Sequence, residues 1–182
     1  MEQKQKIEEI ALLSGTTCTV SNGMVTIRGP KGELSRRFPD RNVKISTEPE
    51  KVVLTFKRFT KKEKKTSGTI RSHIRNMLRG ATNGHSYILK ICSGHFPMTV
   101  TVSGKDLTVK NFLGERVPRK MEIKGDVKVK ISGTEIIAEG TDKEAVSQFA
   151  AGLEQLTRRA NFDRRIFQDG IYLISKDGKL VR

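Results

Sequence analysis

Tryptophan is missing from this 182-residue chain, and only three histidines and two cysteines occur in it. Cys18 and Cys92 stand far apart and match no metal-ligand or redox spacing. Two cysteines build no disulfide framework, so a reducing, intracellular setting is the simpler expectation. His73, His85 and His95 form no metal pair and no nucleophile–base arrangement. A Walker loop, a G-x-G-x-x-G after a strand and a G-x-S-x-G are all missing. Gly29-Pro30-Lys31-Gly32 has the look of a phosphate loop but falls inside a hairpin and opens no helix. No catalytic, cofactor-binding or metal residue is therefore expected, and the chain reads as non-enzymatic. Catalytic groups can converge from distant positions, which keeps an enzyme acting on nucleic acid as an alternative. No apolar run approaches the roughly 20 residues that span a bilayer, so no membrane partner is expected. The opening "MEQKQKIEEI" lacks an apolar core and fits neither a secretory signal nor a transit peptide; one helical turn or a frayed end is expected there.

Positive charge is abundant. Thirty-five Lys and Arg face twenty Asp and Glu, for a net charge of +15 and a pI near 10.1. The excess favours a polyanionic partner, nucleic acid being the commonest, because each phosphate neutralised by Lys or Arg releases condensed counterions. Residues 1–84 hold 18 basic and 8 acidic groups, and residues 85–182 hold 17 and 12.

The chain also repeats itself. Val25-Thr26-Ile27-Arg28 lies 82 positions before Leu107-Thr108-Val109-Lys110, and the same offset sets Gly32-Glu33 on Gly114-Glu115. Both quartets read apolar, polar, apolar, basic, as half-buried strands do. Each is expected to open a hairpin through a glycine-bearing turn. Further strands follow at Val43–Ile45 and Val52–Phe56, and at Val127–Ile131 and Glu135–Glu139. The period then turns helical: Ile70, Ile74, Met77 and Leu78 make one apolar stripe, and Val146, Phe149, Leu153 and Leu156 another. The first helix is expected from about Thr66 to Gly80 or Gly84. Thr141 with Glu144 reads as the capping box of the second. The fold class is thus α+β, with two tandem similar domains, each an antiparallel sheet with one helix packed on a face. Residues 1–84 form the first repeat with a variable N-terminus; residues 85–182 form the second repeat plus a basic C-terminal segment. The link falls around Gly84–Pro97, where "HSYILKI" alternates and can complete the first sheet. Residues 158–182 lie beyond the repeat.

Three basic groups invite phosphate. Lys57, Arg58, Lys61, Lys62, Lys64 and Lys65 crowd the connection before the first helix, as a solvated loop or as phosphate contacts. Arg71, Arg75 and Arg79 recur every four residues on that helix, with both readings open. Arg158, Arg159, Arg164 and Arg165 gather after the second helix. The first two can complement its macrodipole, whereas the second two suit backbone contacts with little sequence information. Phe162, Phe167 and Tyr172 are expected to pack the tail onto its own domain rather than stack on bases.

"VTIRGPKGELSRRF", "HFPMTV", "NFLGERVPRK" and "FQDGIYLISKDG" together resemble the universal L six family of large-subunit ribosomal proteins, in its eukaryotic rather than bacterial branch. The likeness runs from about Gly23 to Gly178, and Phe162 stands where a basic residue is expected. The resemblance implies a structural rRNA-binding protein near the stalk base and the sarcin–ricin loop. Its implied partners are large-subunit rRNA, neighbouring ribosomal proteins and nearby translation GTPases, in the cytoplasmic ribosome after nuclear or nucleolar assembly. It implies rRNA contacts at Arg158, Arg159, Arg164 and Arg165, and at Lys110, Arg116, Arg119 and Lys120. A free-standing RNA- or DNA-binding module outside the ribosome is the other reading.

Overall fold

Short stretches of period-two alternation become strands along most of the chain. The computed structural model describes residues 6–38, 43–57, 59–163 and 165–181, so Arg58 and Arg164 fall outside the described residues. The chain divides into two compact units, 1–84 and 85–182.

The first unit contains β1 (Lys6–Ala11), β2 (Thr17–Ser21), β3 (Met24–Gly29), β4 (Gly32–Arg37), β5 (Val43–Thr47), β6 (Lys51–Phe56) and α1 (Lys61–Thr82). Its strands form two antiparallel sheets, ordered β1-β6-β5 and β2-β3-β4. Val25 and Ile27 on β3 are fully buried, as are Val52, Leu54 and Phe56 on β6, because alternate residues of a strand share a face. These side chains meet the Ile70, Ile74, Met77 and Leu78 stripe of α1 in one core.

Two expectations need correction here. Residues 6–11 form a strand, not a helical turn: β1 pairs with β6 from Lys6↔Phe56 to Ala11↔Lys51. Lys51 Nζ donates to Glu9 Oε1 at 2.8 Å, and the Ser67 hydroxyl donates to Glu8. The ladder and these side-chain bonds outweigh the local helical preference of a Glu- and Lys-rich segment. α1 also begins five residues before Thr66. Thr60 caps it, accepting from Lys62 N at 3.3 Å while its own N–H donates to Glu63 at 3.1 Å. Lys61, Lys62, Lys64 and Lys65 of the basic run therefore stand in the first turns of a helix rather than in a loop. At the other end α1 comes down on Gly29. Lys31 N donates to the Ala81 carbonyl at 2.9 Å, and a β-carbon on Gly29 would stand 2.6 Å from that oxygen.

The second unit contains β7 (His85–Cys92), β8 (Thr99–Ser103), β9 (Asp106–Lys110), a 3-10 turn (Phe112–Gly114), β10 (Arg119–Glu122), β11 (Lys128–Ser132), β12 (Glu135–Gly140), α2 (Lys143–Leu156), β13 (Gly170–Lys176) and β14 (Lys179–Leu180). Its sheets run β10-β9-β8 and β11-β12-β7-β13-β14. "HSYILKI" is thus the centre of the second unit's larger sheet and does not complete the first. Asp142, not Thr141, caps α2, accepting from Glu144 N at 2.9 Å. Tyr87, Leu89, Ile136, Ala138, Val146, Phe149, Leu153 and Ile171 join one core.

The α+β class and the duplicated, one-helix unit hold, with the strands of each unit shared between two sheets. Order β11-β12-β7 repeats order β5-β6-β1. The tail strand β13 then lies on the β7 edge, whose counterpart on β1 carries no strand among the described residues. Part of the segment beyond the repeat is therefore built into the sheet.

Candidate nucleic-acid interface

The tail is held at both ends of β13. Asp169, just before the strand, accepts from the N–H groups of Gly94 (2.6 Å) and His95 (3.0 Å), and its other oxygen lies 2.5 Å from His95 Nδ1. Asp177, just after it, accepts from Ser86 N–H at 3.1 Å and lies 2.9 Å from Nδ1 of buried His85. Burial pushes the Asp169 carboxyl up, but the bonds from His95 and Gly94 and the charge of His95 together hold it below the usual carboxylate range. The end of α2 adds two more ties. The Thr157 hydroxyl accepts from Ile171 N–H at 3.0 Å, and Glu154 accepts from Leu173 N–H at 2.8 Å.

These ties set out a row of flat groups. The His95 and Phe167 rings are 4.9 Å apart and tilted by 31°. Phe162 meets Phe167 edge-on at 4.9 Å, and the Arg159 guanidinium lies 4.5 Å from the Phe162 centroid. Phe167 and Tyr172 are half-buried, while Phe162 keeps 37% of its surface in solvent. The expected packing role fits Phe167 and Tyr172 best; Phe162 both packs and faces out. A groove of about 280 Å³ opens between the last turns of α2 and this tail, with Phe112, Phe162, Phe167 and Tyr172 among its walls.

The arginines differ in what they have free. Arg158 is exposed and its guanidinium has no partner among the described residues. Arg159 lies 3.6 Å from Glu115. Arg165 is 90% exposed and grips Asp163 through Nη2 (2.8 Å) and Nε (3.1 Å). Those bonds draw the Asp163 carboxyl below its usual range.

Beside them lies the connection from β9 to β10, which is not the tight hairpin of the first unit. Asn111 (φ 59°), Leu113 (φ 47°) and Gly114 (φ 76°) all take left-handed backbone. For leucine that conformation is strained, and its neighbours must hold it. Arg119 is one such hold. It makes a forked pair with Glu115 at 2.8 and 2.6 Å, donates to the Leu156 carbonyl, and lies 4.4 Å from the Phe112 centroid. The Arg119 bond, against the opposing effect of burial, holds the Glu115 carboxyl below its ordinary value. Arg119, expected among the RNA contacts, is thus occupied inside the unit. Lys110, Arg116 and Lys120 are exposed and have no partner among the described residues.

In the first unit, Lys57, Lys61, Lys62, Lys64 and Lys65 are exposed, the last four in the first turns of α1, as are Arg71, Arg75 and Arg79 further along it. Cations at a helix N-terminus oppose its macrodipole, so these lysines are ill placed for stability alone. Sequence reasoning missed His95, Thr157 and Asp169, whose partners come from distant segments, and Glu115, which joins Arg119 four residues on to Arg159 from beyond α2. Asp169-Gly170 signals only a turn when read locally. Among the described residues no metal-holding cluster occurs, and no helix is long and apolar enough to cross a membrane.

Comparison with known proteins adds the family. The family described as ribosomal protein L6 matches residues 13–84 and 96–170, one stretch in each unit. The large ribosomal subunit protein uL6 of Methanobrevibacter smithii is 45% identical over 170 residues, covering 93% of this chain and 96% of that protein. Its counterpart in Methanocella arvoryzae is 42% identical over 173 residues, with 94% and 98% covered. That of Natronomonas pharaonis is 39% identical over 165 residues, with 91% and 93% covered.

Proposed function

The chain belongs to the ribosomal protein L6 family, and from that premise we propose that it is a structural constituent of the large ribosomal subunit, bound to rRNA and to neighbouring subunit proteins. The observation that carries this reading is the match of both units, in order, to relatives named as large-subunit proteins over more than nine-tenths of the chain. The net charge of +15 supports it physically, since a bound polyanion offsets that self-repulsion and releases its own counterions. Its mechanism is phosphate neutralisation and shape recognition by two modules. In the second unit the contacts are Arg158, Arg159, Arg164, Arg165, Lys110, Arg116 and Lys120. Arg119 acts one step back, fixing the turn that carries Arg116. Lys57, Arg58, Lys61, Lys62, Lys64 and Lys65 supply a separate phosphate-facing patch on the first unit.

The finer reading puts the protein near the stalk base and the sarcin–ricin loop, with translation GTPases nearby. It works in the cytoplasm. Nuclear or nucleolar assembly applies only to a chain made in a nucleated cell, and the relatives named above are archaeal. Sedimentation of tagged protein tests the core claim. Co-migration with large subunits at moderate salt is expected, whereas a population wholly at the top of the gradient would overturn it.

A further inference from the structure

The groove between the last turns of α2 and the tail mixes carboxylate, amide and aromatic groups with its arginines. Its volume of about 280 Å³ falls just short of the roughly 300–1,000 Å³ that holds a drug-sized ligand. It suits one ring system and excludes a helix. Three polar ends line it without a protein partner among the described residues: the second oxygen of Glu154, the Gln155 amide and the Tyr172 hydroxyl. Phe162 and Phe167 add flat apolar surface, and Arg158 supplies a free cation at the wall.

We propose that this groove receives a single unpaired nucleobase of the bound RNA, with the adjoining phosphate held outside by Arg158. The inference rests on the rRNA-binding reading above and adds a base-reading contact to it. The charges decide the orientation. A carboxylate inside the groove repels phosphate but accepts from a base N–H, whereas the arginine attracts phosphate and only donates. An acidic peptide would meet Glu154 unfavourably, and an apolar side chain would leave the three polar ends without partners. An unpaired base satisfies both surfaces, with its faces on the rings and its edge on the polar ends.

The test uses the full chain and two hairpin RNAs. One carries a single bulged fluorescent adenine analogue, and the other is fully paired. The expected result is quenching of the bulged analogue on binding and about tenfold tighter binding of the bulged RNA. The variant Gln155→Ala/Tyr172→Phe, which keeps the ring and alters only an exposed amide and a hydroxyl, should remove that preference and leave the paired RNA's affinity unchanged. Equal affinity for the two RNAs, or no quenching, overturns the base site while the rRNA-binding reading stands. Binding to neither RNA overturns both. A protein occupant of the groove would show as the first of these failures.

Discussion

Arg158 and Arg119 carry the same guanidinium, yet their surroundings assign them opposite tasks. Arg158 is free, so Arg158→Ala should weaken RNA binding at all sequences and lower the salt slope by about one counterion, as read by a filter or anisotropy titration over a salt series. Unchanged slope would make it a solvated group. Arg119 braces Glu115, the Leu156 carbonyl and the Phe112 ring, so Arg119→Ala should first cost stability, about 1–3 kcal/mol by thermal or urea unfolding. Wild-type melting with lost RNA binding would reverse that assignment. Asp169 links residue chemistry to pH. Its folded carboxyl sits below its unfolded value, so the unfolded chain takes up the proton first. The stability it contributes is complete above about pH 4 and is lost as pH falls through the folded value. Melting temperature against pH should therefore fall more steeply below pH 4 for the parent than for Asp169→Asn; parallel curves would show that the carboxylate contributes nothing.

At the scale of elements, helix ends and strand edges are where physical arguments become testable. A β-carbon at Gly29 would press on the Ala81 carbonyl, backbone against backbone, so Gly29→Ala should destabilise the first unit by about 1–3 kcal/mol. An unchanged melting curve would mean that α1 shifts at little cost. Phe167, tilted against His95 and met edge-on by Phe162, should cost about 1–2 kcal/mol on truncation to Ala, with the melt changing before any RNA-specific defect. Periodicity made the paired helices, the core stripe of α1 and the strands β3, β6, β9 and β12 legible, because those patterns report burial within one element. β1 was hidden because only Ile10 among its six residues is buried, and its partner β6 lies some forty residues away in sequence. The interface was half legible for the same reason. Clusters of arginine are visible in sequence, but which arginine is free depends on contacts the fold brings in from afar, such as Arg159 on Glu115 and Arg119 on the Leu156 carbonyl.

Across the whole molecule, duplication supplies two units of similar construction that are charged and finished differently. The first unit holds its lysines on the opening turns of α1, whereas the matching approach to α2 reads Glu139-Gly140-Thr141-Asp142. The second carries the extra strand β13, clamped by His95–Asp169 before it and His85–Asp177 after it. That strand has a kinetic consequence. β7 opens the second unit, and β13 follows every other element of it except β14, yet the two are hydrogen-bonded neighbours from Gly170↔Cys92 to Lys176↔Tyr87. During synthesis β7 emerges first and must wait for the latest-made part of its unit before that edge is covered. Closing so long a loop is slow. In the interval β7 presents an unpaired edge of the kind that recruits other strands. Nascent chains stalled before residue 170 should therefore be more protease-sensitive in the second unit and more prone to aggregate than chains stalled after residue 176.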